Sequence, residues 1–260
     1  MSCDVYGAAR RRGTTGRCLV DSRTVPSASA PNPVFRRLWR DAVPALVAGT
    51  HRRDAPPVDG GRWPVSVIAR PPAHVRDDLE AIMVQALPYA GPGHFHTGRQ
   101  DCLHITIRAL EPFRAAARAD DPIVGEWERA MRATAATTQP FDLTFTGITL
   151  TTGGILAQLE PHDERPWELL DRFRSELGPL AWFEDQWTRD IWYCSLLHFP
   201  TDIVDPIGLI DWATALRECP PIRFEVTALE LVRFHHCRVD AREHSMRPQT
   251  WLSVPLLASC

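Results

Sequence analysis

The chain contains no lysine and a single asparagine, Asn32, while arginine, alanine and proline are abundant. The absence of lysine excludes two kinds of chemistry. A Gly-Lys-Ser/Thr phosphate-binding loop needs the lysine ammonium to reach the phosphates, and Schiff-base catalysis needs a lysine amine.

The seven cysteines show no paired spacing, and no apolar run is long. Because there is no Cys-x-x-Cys pair and the number of cysteines is odd, we predict neither a disulfide framework nor a structural zinc site. No apolar run approaches the roughly 18 residues that a membrane span requires, and no signal peptide follows Met1. We therefore expect a cytoplasmic protein that does not associate with membranes.

Residues 1–32 lack hydrophobic periodicity, which predicts a flexible N-terminal extension. The remaining residues, 33–260, contain alternating helix and strand patterns. The chain as a whole is 44% apolar, which is enough for one sizeable core or two small lobes. We predict a single domain of two lobes over 33–260. Helical periodicity occurs at 33–49, 72–87, 123–136, 166–177 and 207–217, and strand patterns occur at 64–70, 102–108, 141–151, 154–160, 191–197, 223–234 and 250–257.

The segment 102–108 reads Cys-Leu-His-Ile-Thr-Ile-Arg, which is typical of a strand with one buried face. Side chains two apart share a face of a strand, so His104, Thr106 and Arg108 point one way and the aliphatic residues between them point into a core. An imidazole, a hydroxyl and a guanidinium are thereby predicted on one surface.

A second segment, 191–197, repeats this pattern incompletely. Tyr193 and Ser195 occupy the polar face, so the hydroxyl is kept and a tyrosine stands where a second histidine is expected. His198 has the opposite parity, and it reaches the face of Tyr193 only if a β-bulge adds a residue to the strand.

Two His-x-Thr/Ser strands, one in each half of a domain, are the signature of a known family. The chain resembles the two-histidine phosphoesterase superfamily, specifically its 2′-5′ RNA ligase-like branch. The resemblance rests on His104-Ile105-Thr106, on the degenerate second motif Tyr193-Cys194-Ser195 and on the order of the elements. The resemblance implies an α/β (α+β) fold, a pseudo-symmetric duplication with two antiparallel-rich sheets backed by helices around a central cleft.

The resemblance also implies a metal-independent phosphoesterase, without a cofactor, that acts on a cyclic or 2′-5′ phosphodiester. Imidazole serves as base or acid near neutral pH, whereas a phenol donates a proton but is a poor base. His104 is then the predicted base, and Tyr193 an acid or an anchor. Thr106, Ser195 and Arg108 are predicted to hold the phosphate oxygens, and His96 is a candidate for lining the cleft.

A second hypothesis stays open. The cleft of a degenerate family member is repurposed, either for binding a small molecule or for a reaction of small-molecule metabolism other than phosphoester hydrolysis. The discriminating residue is Tyr193, because it replaces the second imidazole.

The partners are predicted from charge as well as from the resemblance. The formal net charge is −3 and the arginines are balanced by acidic residues, so no basic stripe supports strong binding of duplex nucleic acid. The expected ligand is a small nucleotide or the phosphodiester at an RNA end, bound by a monomer.

Overall fold

The computed structural model describes residues 32–187, 189–239 and 243–257. The predicted extension lies outside these residues except for Asn32, and the single-domain boundary at residue 33 stays a prediction. Within the described part, the chain forms α-helices and one antiparallel sheet, which confirms the α+β class.

The α-helices match the predicted positions within a few residues. The first begins at a well-formed cap, because Asn32 Oδ1 accepts a hydrogen bond from the Val34 N–H at 2.9 Å and a proline follows at the first helical position. A 3₁₀ helix after the fourth helix was not predicted. The helices are α1 (Pro33–Val47), α2 (Ala73–Ala90), α3 (Pro122–Ala135), α4 (Arg165–Leu177) and α5 (Pro206–Ala215), and the 3₁₀ helix is Gly178–Gln186.

The strands also match within a few residues, with two exceptions. The segment 223–234 was predicted as one strand, but it divides at Thr227 into two strands that pair in different parts of the sheet. The last strand begins earlier than predicted. The strands are β1 (Val65–Ala69), β2 (Ile105–Glu111), β3 (Phe141–Thr151), β4 (Gly154–Pro161), β5 (Trp192–His198), β6 (Ile222–Val226), β7 (Ala228–Arg238) and β8 (His244–Pro255).

The sheet has the order β6-β3-β4-β5-β2-β1-β7-β8. The two predicted sheets correspond to its two four-stranded halves, β6-β3-β4-β5 and β2-β1-β7-β8. A single residue pair, Ile105 with Cys194, joins the halves into one sheet. The predicted motif strands, β2 and β5, therefore lie side by side at the centre.

Alternation assigns the faces of these central strands. Leu103, Ile105 and Ile107 belong to the main hydrophobic core, which lies between the sheet and the helices, while His104 and Thr106 stay partly open on the other face. In β5, Trp192 and Cys194 are in the same core. A second, smaller apolar cluster, separate from the main core, includes Ile68, Val232 and Phe234.

Candidate active site

A cavity of about 50 Å³ opens where β2 and β5 meet. This volume holds a few water molecules or a group of similar size. We call it the central pocket. It is lined by Gly61, Arg62, Trp63, Pro64, Ser66, His104, Thr106, Phe183, Trp187, Tyr193, Ser195, His198 and Phe234.

His104 lines this pocket with a defined tautomer. Its Nδ1 lies 2.7 Å from the backbone carbonyl oxygen of Cys102. A carbonyl only accepts, so Nδ1 donates the hydrogen and the lone pair of the neutral ring is on Nε2. Burial lowers the pKa of His104 to about 4, so the imidazole is neutral and able to accept a proton at pH 7.

Three hydroxyl groups line the same pocket as this imidazole. Thr106, Ser195 and Tyr193 all line the pocket, as the strand pattern predicted. Their oxygens make no hydrogen bond with any residue that the structure describes. Burial raises the pKa of Tyr193, so its phenol stays protonated and remains a donor. The pocket thus presents several polar groups whose bonding capacity is unused.

His198 also lines the pocket, although simple alternation directs it to the other face. The register between β4 and β5 explains this position. Ile155 pairs with Leu197 and Leu156 with Ser195, so β5 advances two residues where β4 advances one. Leu196 is the extra residue of a β-bulge, and it returns His198 to the face of Ser195.

Asp54 fixes the orientation of the His198 ring. Its Oδ2 lies 2.8 Å from His198 Nδ1, and the two side chains are 1% and 4% exposed. A carboxylate at this pH only accepts, so Nδ1 donates the hydrogen and the Nε2 lone pair is left free. Arg52 and Arg62 contact the same carboxylate, and Arg62 also reaches the pocket.

Aromatic rings form much of the remaining wall. Trp63 packs edge-on against His198 with ring centroids 5.0 Å apart, and the Phe234 ring lies 4.9 Å from that of His104. Trp63 has a φ of 71°, the only positive value among non-glycine residues in the described part. A bulky residue with a positive φ carries backbone strain on the order of 1–3 kcal/mol, and such strain is typical of functional sites.

Arg108 was predicted to hold phosphate, but it does not line the pocket. A register shift in β2 is the physical reason. Ile68 pairs with Thr106 and Val67 with Arg108, so Ile107 is an extra residue and alternation ends after Thr106. Arg108 is only 6% exposed, and its guanidinium instead donates to the carbonyl oxygen of Ala181 at 2.8 Å and to Asp185 at 2.6 Å.

His96 also lies outside the pocket lining. Its backbone N–H donates to the His244 carbonyl oxygen at 2.8 Å, and its Nδ1 lies 3.6 Å from Glu243 Oε1. The neighbouring Phe95 bridges both β5, at His198, and β8, at His244. This bridging holds the segment against the strand ends, where His96 lies beside Glu243, and the role of His96 in lining the cleft stays a prediction.

Neither thiols nor metal clusters appear in the pocket. Among residues 32–187, 189–239 and 243–257, no group of three or more His, Cys, Asp or Glu side chains has a metal-binding arrangement. Burial raises the pKa of Cys102 to about 12 and raises that of Cys194 as well, so both thiols stay protonated. In the same part of the chain, no helix is long and apolar enough to span a bilayer.

Three residues of this candidate site were not placed there from the sequence: His198, Asp54 and Arg62. The sequence placed His198 on the opposite face unless a β-bulge intervened, and the register of β5 contains such a bulge at Leu196. Asp54 and Arg62 come from the segment between α1 and β1, which has no periodicity that predicts their contacts.

Comparison with known proteins bears on the fold. No protein-family model matches the sequence, and no curated protein matches it either. Among solved structures, TT0787 of Thermus thermophilus aligns with a TM-score of 0.52 at 14% identity, over 74% of this chain and 97% of its own.

Two further structures align less closely. E. coli LigT complexed with 3′-AMP has a TM-score of 0.48 at 16% identity, over 75% of this chain and 98% of its own. A protein described as a phosphoesterase has a TM-score of 0.44 at 16% identity, over 76% of this chain and 100% of its own. Scores below 0.5 add no support of their own.

The fold class follows from the topology and the TT0787 alignment together. The described part of the chain has an α+β fold similar to that of TT0787, with an eight-stranded antiparallel sheet. At this level of identity the likeness establishes the fold, and the chemistry has to be argued from the pocket.

Proposed function

We propose that this protein is a phosphoesterase that hydrolyses a cyclic or 2′-5′ phosphodiester of a nucleotide or an RNA end. One observation carries the proposal. Two imidazoles, His104 and His198, line one small pocket, and the Nδ1 atom of each is occupied by an acceptor. Each ring therefore directs its proton-exchanging Nε2 away from that acceptor, as an acid–base pair requires.

In the proposed reaction, water attacks the phosphorus of a 2′,3′-cyclic phosphate. His104 Nε2 accepts a proton from this water as the new P–O bond forms. The bond from phosphorus to one ribose oxygen breaks, and protonated His198 gives its Nε2 proton to that oxygen. A phosphomonoester and a free hydroxyl result, and exchange with solvent returns each imidazole to its starting state.

The hydroxyls and a cation would stabilise the phosphorane-like transition state. Thr106, Ser195 and Tyr193 are available to donate hydrogen bonds to the non-bridging oxygens, where negative charge accumulates. Arg62 supplies the positive charge that was predicted for Arg108. Fixed donors of this kind stabilise charge without reorganising during the reaction.

The pocket is narrow where the two imidazoles and the three hydroxyls line it. We propose that the phosphate group of the substrate occupies this part. The ribose and base of the substrate would lie at the mouth, beside the aromatic wall. This arrangement favours a terminal or cyclic phosphodiester over one within a helix.

The direct test is hydrolysis of nucleoside 2′,3′-cyclic phosphates and 2′-5′-linked dinucleotides in the presence of a chelator. We expect turnover of at least one substrate, and we expect His104→Ala to lower kcat by about 100-fold to 10,000-fold. The matched control is His162→Ala, because His162 is an exposed imidazole outside the pocket. A loss of less than tenfold in His104→Ala contradicts its role as the base.

The repurposed-cleft hypothesis makes the opposite forecast. A cleft that only binds a small molecule would give no turnover on any member of the panel, with or without added metal ions. Tight binding of a nucleotide without hydrolysis, measured by calorimetry, would then replace the proposed activity.

A further inference from the structure

We propose that Asp54 is a positioning residue that makes His198, and not His104, the first imidazole of the pocket to take up a proton. The inference rests on the proposed function for its chemical meaning, because it assigns His198 as the acid and His104 as the base. The protonation order itself is a property of the protein without substrate.

The geometry of Asp54 is suited to this role. Its backbone N–H donates to the Phe199 carbonyl oxygen at 2.9 Å, directly beside His198 in the chain. Its carboxylate then lies 2.8 Å from His198 Nδ1 with both side chains almost fully buried. Backbone and side chain are thus both fixed relative to the imidazole, and a buried charge-assisted hydrogen bond of this kind is strong.

The two imidazoles differ in what faces Nδ1. His104 faces a neutral carbonyl, whereas His198 faces a full negative charge. When a proton adds to Nε2, the ring becomes an imidazolium, and a carboxylate stabilises this cation more than a carbonyl dipole does. The first proton is therefore expected on His198.

Other charged groups also act on the two imidazoles. Arg62 and Arg52 oppose a proton on His198, whereas Arg70 and His198 oppose one on His104 and Glu230 favours it. Burial lowers the pKa of both histidines, but only His198 has a hydrogen-bonded carboxylate that acts against this lowering.

The arginines keep Asp54 charged inside the protein. Burial alone would raise the pKa of this carboxyl, but the hydrogen bond to His198 and the charges of Arg62 and Arg52 hold it well below its usual range. Arg52 Nε lies 3.1 Å from Asp54 Oδ1. Asp54 therefore remains an anion throughout the pH range in which the imidazoles titrate.

The network also predicts a pair of substitutions with opposite effects. Asp54→Asn removes the anion and keeps the shape, so it should lower the pKa of His198 by at least about one unit, a tenfold loss of imidazolium. Arg52→Gln removes a cation from the same carboxylate, so it should raise the pKa of His198. A purely structural role of this network predicts no such opposition of sign.

The experiment is an NMR titration of the histidine rings in the substrate-free wild type, Asp54→Asn and Arg52→Gln. In the wild type we expect the Nδ1–H tautomer for neutral His198 and a higher pKa for His198 than for His104. An equal or reversed order in the wild type would overturn the proposal. So would a His198 pKa that moves in the same direction, or not at all, in both variants.

A kinetic measurement separates this proposal from the proposed function. The alkaline limb of kcat/KM should move to lower pH in Asp54→Asn and to higher pH in Arg52→Gln, because it reports the loss of the acid's proton. Without any turnover, the proposed function fails while the titration still decides the protonation order. If Asp54→Asn does not fold, the wild type and Arg52→Gln still provide the tautomer, the order and one sign.

Discussion

The two central strands carry the same pattern and deliver different residues to the pocket. His104 and Thr106 in β2 correspond to Tyr193 and Ser195 in β5, and an extra residue follows the hydroxyl in each strand, Ile107 in one and Leu196 in the other. The resemblance of the two halves of the sheet therefore extends to the position of the register shift.

The shared register shift has opposite consequences in the two halves. In β2 it removes a predicted residue, because Arg108 pairs with Asp185 instead of lining the pocket. In β5 it supplies one, because His198 joins the face of Ser195. The second imidazole is thus displaced along its strand from the position of Tyr193, and a pair of histidines need not occupy equivalent positions to share a pocket.

The largest expected effect tests whether His198 or Tyr193 is the true counterpart of His104. We expect His198→Ala to lower kcat by about 100-fold to 10,000-fold, because it removes the group that donates a proton to the leaving oxygen. Tyr193→Phe removes one hydrogen-bond donor from the same strand and should cost less than about tenfold. Steady-state assays on the same cyclic nucleotide compare the two variants.

The comparison between the strands would be reversed by the opposite ranking. A near-normal rate in His198→Ala together with a large loss in Tyr193→Phe would make the phenol the proton donor. Circular dichroism of both variants checks that a loss of rate is not a loss of fold.

Acid stability sharpens the difference between the two histidines. Burial lowers the pKa of an imidazole in the folded protein below its value in the unfolded chain, which is about 6.5. The contribution of such a group to stability is fully present above pH 6.5 and is lost as the pH falls toward the pKa of the folded state. For His104, whose pKa falls to about 4, the loss is about 3 kcal/mol over that interval. His198 should lose less, since Asp54 stabilises its charged form.

Urea unfolding at pH 7 and pH 5 measures this difference. The free energy of unfolding of the wild type should fall between these values, and His104→Gln should reduce the fall more than His198→Gln does. His162→Gln, on the exposed surface, should leave it unchanged. Equal reductions in the two pocket variants would mean that Asp54 gives His198 no advantage.

Local pattern predicted the strands but not their register. Alternation placed His104, Thr106, Tyr193 and Ser195 correctly because the period of two depends only on neighbours along the chain. The shifts at Ile107 and Leu196 depend on pairing with β1 and β4, which no local pattern specifies. Arg108 and His198 were both misassigned for this one reason.

Contacts from irregular segments were also beyond prediction. Asp54 and His198 are 144 residues apart, and Asp54 lies in a segment without periodicity. The segment 223–234 was predicted as one strand because its apolar pattern is nearly continuous. It divides because β6 pairs with β3 in one half of the sheet and β7 with β1 in the other.

The pH dependence of turnover should follow the proposed roles of the two histidines. The base must be neutral, and the pKa of His104 is about 4 because of burial; the acid must be protonated, and burial lowers the pKa of His198 below its usual value of 6.5. We therefore expect kcat/KM to be greatest on the acid side of neutrality and to fall by about tenfold per unit at higher pH. A maximum above pH 8 would contradict this assignment.

The smallest expected effect concerns the position where a second histidine was expected. Since His198 already provides the second imidazole, Tyr193→His should change kcat by less than about threefold, within the range for a group that only donates a hydrogen bond. The smaller ring would also pack less fully against the cluster of Val34, Phe35 and Ile191, at a cost of about 1 kcal/mol in stability. Assays of Tyr193→His in the wild-type and His198→Ala backgrounds separate the two positions. A rise of more than tenfold in both backgrounds would mean that the second imidazole acts at position 193 and not at position 198.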